Sequence, residues 1–231
     1  MKRIQKLVIA LLVISAVLPA CKKGADDPFL SLRSRKSRVA GEWKVDSKID
    51  TRTTAIVSSS FTSTSTETTT ISGSTWTQMN SSSTTTSAGA VDYTIKFEKD
   101  GKWNSSYKLT RVNSLGIAPF VTTITTEDLT VSSGVWNFLG KVGDAKNKEN
   151  ISVSTTSEQK TTTTTTVDPS GTDINKDEST ETFAANENVE IWKLTELKNK
   201  EMKGEIAYDN NFSSGSSSKR VSGTTTITLK Q

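Results

Sequence analysis

The chain has 231 residues, with 29 lysines and arginines against 25 acidic residues, one cysteine and no histidine. Without histidine, the chain cannot form a Ser-His-Asp triad, a Cys-His pair or the usual zinc site. A single thiol excludes an internal disulfide, so the fold depends on its core. The length is sufficient for one all-β domain.

The N-terminus has the pattern of a secretory signal. Three basic residues precede the apolar run 7–17, which is followed by Leu18-Pro19-Ala20-Cys21. The run is too short to span a bilayer, so residues 1–20 are predicted to be a signal peptide. Leu-x-Ala-Cys resembles a bacterial lipobox, which implies that Cys21 is acylated, with palmitate or a similar chain. The alternative is an ordinary signal peptide followed by an unrelated cysteine.

Residues 21–38 are predicted to be a flexible tether that begins at the lipidated Cys21. From residue 22 to residue 38, six basic residues stand against two acidic ones, so residues 39–231 carry a net charge of −3. This acidic body offers no surface for nucleic acid. The pair Asp26-Asp27 resembles an acidic signal for export to the outer face of the cell. We expect an envelope protein of the outer membrane, on a leaflet that the sequence leaves open.

Residues 39–49 alternate between apolar and charged side chains, which is typical of a half-buried antiparallel strand. Gly41-Glu42-Trp43, at the start of this strand, resembles the lipocalin signature. The chain from 39 to 231 resembles the lipocalin-like lipoproteins of Bacteroidota. This resemblance implies an up-and-down barrel on a membrane-anchored envelope protein, with membrane lipid as its partner through Cys21.

The next strands are predicted from the same alternation. Residues 51–88 are rich in Ser and Thr and are interpreted as a long hairpin, with disorder as the alternative. Residues 91–112 form the clearest hairpin, with Asp100-Gly101 as a two-residue turn. Residues 120–132 and the stretch around Gly134-Val135-Trp136 follow as strands.

Strands are also predicted in the last third of the chain. The tract 161–166 is expected to pair with residues 178–185 across Asp168-Pro169-Ser170-Gly171. Residues 189–194 contain a break in phase between Ile191 and Trp192, interpreted as a β-bulge. Eight to ten strands in sequence favour an antiparallel meander closed into a barrel, because closure removes the strand edges. A β-sandwich is the alternative.

Motifs for catalysis or for metal binding are weak. Carboxylate pairs such as Glu127-Asp128 and Glu187 with Glu190 lie in polar stretches and are interpreted as solvated surface. The spacing from Asp173 to Asp177 resembles the start of a calcium loop, but the glycine and the closing glutamate of such a loop are missing. We therefore predict no enzyme activity, no cofactor and no metal site.

Aromatic residues occupy the apolar phase of successive strands and should converge inside the barrel. One interpretation is a filled core, and the other is a cup that binds a small apolar or sugar-like ligand. The predicted function is ligand binding by an envelope lipoprotein, and the alternative is a structural or adhesive surface module. The candidate ligand-binding residues are Tyr93, Phe97, Trp103, Tyr107, Trp136, Phe138 and Trp192.

Overall fold

A computed structural model describes residues 34–231, apart from 59–60, 82, 84–85, 141–148 and 215–216. This part of the chain contains one helix, α1 (Arg35–Val39), and eleven strands. No helix in it is long and apolar enough to cross a membrane. The strands are β1 (Gly41–Val57), β2 (Thr62–Ser72), β3 (Thr75–Asn80), β4 (Thr86–Phe97), β5 (Lys102–Ile117), β6 (Phe120–Phe138), β7 (Asn150–Asp168), β8 (Gly171–Thr182), β9 (Val189–Leu197), β10 (Glu201–Ser214) and β11 (Ser217–Lys230).

The strands form an antiparallel meander that closes into a barrel. The order is β6-β5-β4-β3-β2-β1-β11-β10-β9-β7-β8, and pairing between β6 and β7 closes a ring of ten strands with β8 as an extra strand. The closed sheet confirms the predicted all-β barrel and excludes the β-sandwich. At one end, β1 pairs directly with β4, Gly41–Lys44 against Phe97–Thr94, so the ring there has eight strands. We call this end the base.

Above the base, the wall has an opening between β8 and β10. Both β8 and β9 pair with β7, β8 along residues 157–168 and β9 along residues 150–154. On β10, residues 202–206 pair with β9, whereas residues 207–214 pair with β11 alone among the described strands. We call the opening between β8 and this part of β10 the lateral seam.

The apolar core lies at the base. Trp43 and Trp136 are 0% and 1% exposed, and the ring centroid of Phe97 lies 5.5 Å from that of Trp136 in an edge-to-face contact. Trp43 and Phe97 come from strand ends where apolar side chains alternate with charged ones, and Trp136 comes from an end without charged residues. The Thr-rich hairpins form ordered strands above this core, so the described residues of 51–88 are not disordered.

Helix α1 covers the base and changes the expected limits of the tether. Arg35 and Arg38 are buried, and a guanidinium N–H of Arg38 donates a hydrogen bond to the carbonyl oxygen of Leu197. Val39 is completely buried, and its carbonyl oxygen accepts a hydrogen bond of 2.8 Å from Nε1 of Trp43. Burial of Val39 holds the preceding turn on the barrel, so residues 35–38, expected in the tether, are part of the folded domain. Residues 1–33, with Cys21, lie outside the described residues.

Three local predictions need correction. The β4–β5 turn has three residues, Lys99 to Gly101, because N–H of Glu98 bonds to the carbonyl of Lys102 and Gly101 adopts a φ of 97°. The bulge of β9 lies at Thr195, where the register with β10 shifts, and Ile191 simply faces outward. The tract 161–166 pairs with residues 173–178, because the β7–β8 turn is tight.

Candidate ligand-binding cavity

A cavity of about 160 Å³ lies inside the barrel, directly above the core. Its walls come from β4, β5, β6, β7 and β9, and it lies at the level where the chain passes from β8 to β9 beside the lateral seam. The inward phase of each strand supplies the lining, since alternate side chains point to the same face. The lining residues are Tyr93, Ile95, Phe97, Trp103, Ser105, Ser132, Val153, Thr155, Glu158, Asn188, Glu190 and Trp192.

Four of the seven aromatic candidates line this cavity, namely Tyr93, Phe97, Trp103 and Trp192. The other three support it without lining it. Trp136 and Phe138 stack edge to face below it, with ring centroids 5.8 Å apart. The ring of Tyr107 meets that of Tyr93 at 5.3 Å, also edge to face. The interior is thus filled at the base and open in a small volume above it.

Hydrogen bonds fix the orientation of both indoles in the cavity wall. Nε1 of Trp103 donates to the carbonyl oxygen of Ser154 on β7 at 3.0 Å. Nε1 of Trp192 donates to Oε2 of Glu190 at 2.8 Å, and its ring contacts Phe97 at a centroid distance of 6.0 Å. An indole that is fixed by a hydrogen bond at its nitrogen and by a ring contact is preorganised to contact a ligand.

Some polar groups of the cavity have hydrogen-bond or ion-pair partners, and others have none among the described residues. Oε2 of Glu158 accepts a hydrogen bond of 3.2 Å from Ser132, and Oε1 lies 2.7 Å from Nζ of Lys160. Ser105 is 8% exposed, and its hydroxyl has no hydrogen-bond partner among the described residues. A buried hydroxyl that faces a cavity is available to a bound molecule.

The hydroxyl of Tyr93 is a second available group. Burial is the main cause that raises the pKa of Tyr93, followed by the negative charge of Glu190 and the neighbouring Tyr107. The phenol therefore stays protonated at neutral pH and can donate a hydrogen bond. Nζ of Lys48 lies 5.9 Å from the centre of the same ring.

The sequence did not indicate the polar half of this lining. Ile95 and Ser105 share the inward phase with the aromatic candidates, so their strands could have identified them. Glu190 was interpreted as solvated surface, and it is exposed, although it lies on the inward phase opposite Val153. Glu187 behaves differently and accepts a hydrogen bond of 2.7 Å from the backbone N–H of Ala184. Glu158 lies within a Thr-rich tract that gives no signal of burial.

Comparison with known proteins gives little further information. No family model matches the chain, and no curated protein matches it. Among solved structures, the chain is similar to the crystal structure of Ail, the attachment invasion locus protein of Yersinia pestis, in complex with the heparin analogue sucrose octasulfate. The two share 4% identity with a TM-score of 0.35, over 82% of this chain and 99% of that chain. A likeness at this level establishes no shared function.

Proposed function

We propose that this protein is a lipid-anchored lipoprotein of the cell envelope, held at the outer membrane, whose barrel binds a small ligand. The observation that carries the proposal is the cavity of about 160 Å³ with four aromatic walls and the unpartnered hydroxyl of Ser105. Binding sites typically combine apolar walls with a few polar groups. An engineered apolar cavity of about 150 Å³ binds benzene, so the ligand, or the part of it inside the cavity, has about the size of one ring.

The position of α1 gives the proposed anchor an orientation. The helix contacts the base through Arg38 and Leu197, and the segment from Cys21 to residue 33 precedes it. A lipid on Cys21 would therefore hold the base towards the membrane. The cavity, the lateral seam and the Thr-rich hairpins would then face away from the membrane.

The outer surface of the barrel supports anchoring by lipid. Charged side chains occupy exposed outward positions on strands around the ring, whereas Lys or Arg on the lipid face of a membrane-spanning barrel costs about 2 to 4 kcal/mol at the midplane. Such a surface suits an aqueous compartment. The residues are Glu42, Lys44, Asp92, Lys96, Lys102, Lys108, Lys193 and Glu205.

Native mass spectrometry of the protein purified from its own cells tests ligand binding. Ser105→Leu places a larger side chain in the cavity, and Ser106→Leu places the same change on the opposite face of β5. We expect a small bound mass in the wild type and in Ser106→Leu, and its loss in Ser105→Leu. A bare protein in all three preparations would contradict the proposal, as would retention of the mass in Ser105→Leu.

The anchor has a separate test. An acyl chain contributes about 0.8 kcal/mol of membrane-binding free energy per buried methylene, and two chains hold a protein stably on a bilayer. Cys21→Ser should therefore move the protein from the membrane to the soluble fraction and abolish fatty-acid labelling. If the Ser variant remains in membranes after a high-salt wash, the lipid is not what retains it.

A second candidate function is adhesion, and the tip of the β5–β6 hairpin favours it. Leu115, Ile117 and Phe120 are 61%, 84% and 74% exposed at this tip, which lies far from the base. Exposed apolar patches often serve as contact sites. If this tip is adhesive, the double change Ile117→Ser and Phe120→Ser should weaken attachment of cells to a hydrophobic surface and leave ligand binding unchanged.

A further inference from the structure

The lining of the cavity is negatively charged. It includes two carboxylates, Glu158 and Glu190, and it includes no lysine or arginine. Lys160 neutralises Glu158, but Glu190 has only the indole N–H of Trp192 and no ion-pair partner among the described residues. One carboxylate at the cavity therefore has an unbalanced charge.

Aromatic rings line the cavity beside that carboxylate, which is itself exposed to solvent. Trp192 is bound to it directly, and Tyr93, Phe97 and Trp103 complete the wall. The faces of such rings attract cations, and indole and phenol attract them most strongly when water is excluded. The ammonium group of Lys48 already lies 5.9 Å from the centre of the Tyr93 ring, so the ring left for a ligand cation beside Glu190 is that of Trp192.

We propose that the cavity selects a small organic cation, an ammonium group on a ligand of about one ring in size, with Glu190 as its counter-charge and Trp192 as its ring contact. This inference rests on the proposed ligand-binding function and specifies its chemical class. The hydroxyls of Tyr93 and Ser105 are positioned to bond a hydroxyl on the same ligand, so an amino alcohol satisfies the lining more fully than a bare amine.

A comparison of choline with its uncharged isostere 3,3-dimethyl-1-butanol distinguishes the contribution of charge to binding from that of shape. Tryptophan fluorescence and calorimetry on the mature protein would give both affinities. We expect choline to bind at least about tenfold more tightly than the isostere, because the ammonium group adds ion pairing and cation–π attraction in a partly desolvated site. The difference should shrink as salt is raised.

Substitutions test whether Glu190 causes the tighter binding of choline. Glu190→Gln should weaken choline binding by about tenfold or more and leave binding of the isostere nearly unchanged. Glu205→Gln is the matched control, because Glu205 is an exposed carboxylate on the outer face of β10, 3.7 Å from Lys193, and should alter neither affinity. Trp192→Phe keeps a ring but removes the N–H that holds Glu190, and should give an intermediate loss. Thermal melts of each variant would check that it is folded.

The outcomes separate the inference from the proposed function. If the isostere or a neutral sugar such as glucose binds as tightly as choline, with no effect of Glu190→Gln, the cation assignment is overturned and ligand binding stands. If none of these probes binds and native mass spectrometry also finds no bound molecule, both are overturned. Choline binding that Glu205→Gln weakens as much as Glu190→Gln would place the cation on the outer surface and overturn the inference.

Discussion

Trp103 on β5 donates its indole hydrogen bond to the backbone carbonyl of Ser154 on β7, and in doing so it crosses the intervening strand β6. The crossing occurs over Gly134, which is paired with Trp103 on one side and with Thr155 on the other. A Cβ at position 134 would overlap the carbonyl oxygen of Ser154 and would lie 2.9 Å from the indole nitrogen. Gly134 is therefore required by the close approach of three strands beside the cavity.

Gly134→Ala should destabilise the barrel by about 2 to 4 kcal/mol, since it adds overpacking against backbone and breaks the hydrogen bond of Trp103. Gly204→Ala is the control, because a Cβ there meets its nearest atom, Cγ2 of Ile227, at 3.6 Å, an ordinary contact. Urea melts give both free energies of unfolding. Equal stability of the two variants would mean that the crossing over Gly134 is not tight.

Replacing single tryptophans should distinguish the filled base from the cavity above it. Trp43→Ala and Trp136→Ala should each cost about 3 to 5 kcal/mol, because both indoles are fully packed. Trp103→Ala should cost about 3 kcal/mol or less, because one side of this indole faces the cavity. All three lose an indole hydrogen bond, so the difference measures packing.

The β4–β5 turn provides a third prediction. Gly101 has a φ of 97°, and a Cβ there would lie 3.3 Å from the carbonyl oxygen of Trp136. Gly101→Val should cost about 1 to 2 kcal/mol or more from backbone strain, with a further loss from this contact. Gly73→Val is the control, because Gly73 also has positive φ but no atom within 4 Å of its Cβ position. The thermal midpoint should fall further for Gly101→Val, and equal shifts would argue against the contact.

Stability should depend on pH through Glu196, which pairs with Lys203 beside the bulge at Thr195 and is only 2% exposed. Hydrogen bonds from Lys198 and then Lys203 lower the pKa of Glu196 below its ordinary value. Because the folded state favours the ionised carboxylate, this stabilisation is complete above the unfolded pKa and is lost as the pH falls through the lower folded pKa. The free energy of unfolding of the wild type, minus that of Glu196→Gln, should therefore decrease on acidification below about pH 4.5. A difference independent of pH would exclude this linkage.

Alternation of side chains was sufficient to predict an antiparallel meander, because its strands follow each other in the sheet with few exceptions. It left the β-sandwich as an alternative to the barrel, which the pairing of β6 with β7 excludes. It could not predict α1, since Arg35 and Arg38 resemble a solvated arm until Val39 is placed in the core. Nor could it predict that one residue of the pair Glu127-Asp128 faces inward. Glu127 pairs with Lys108 outside, whereas Asp128 lies 2.5 Å from Arg111 on the inner face.

The cavity shows the same limit of sequence reasoning. Its four aromatic wall residues lie on the apolar phase of three strands, and all four were among the candidates predicted from that phase. Glu158 and Glu190 lie in polar stretches, and their position depends on which segment of β7 pairs with β8 and which pairs with β9. Pairing between distant segments is a property of the closed ring, and periodicity within one strand carries no information about it.

The separation between an eight-stranded base and the hairpins above it has a consequence for how such a chain can vary during evolution. Insertion or deletion of two residues in each arm of a hairpin, beyond the level of the cavity, keeps every inward side chain inward and leaves the base pairing of β1 with β4 intact. The Thr-rich arms can therefore change length in paired steps without disturbing the base. Relatives of this protein should differ mainly in the height of their hairpins, with an unchanged number of strands at the base.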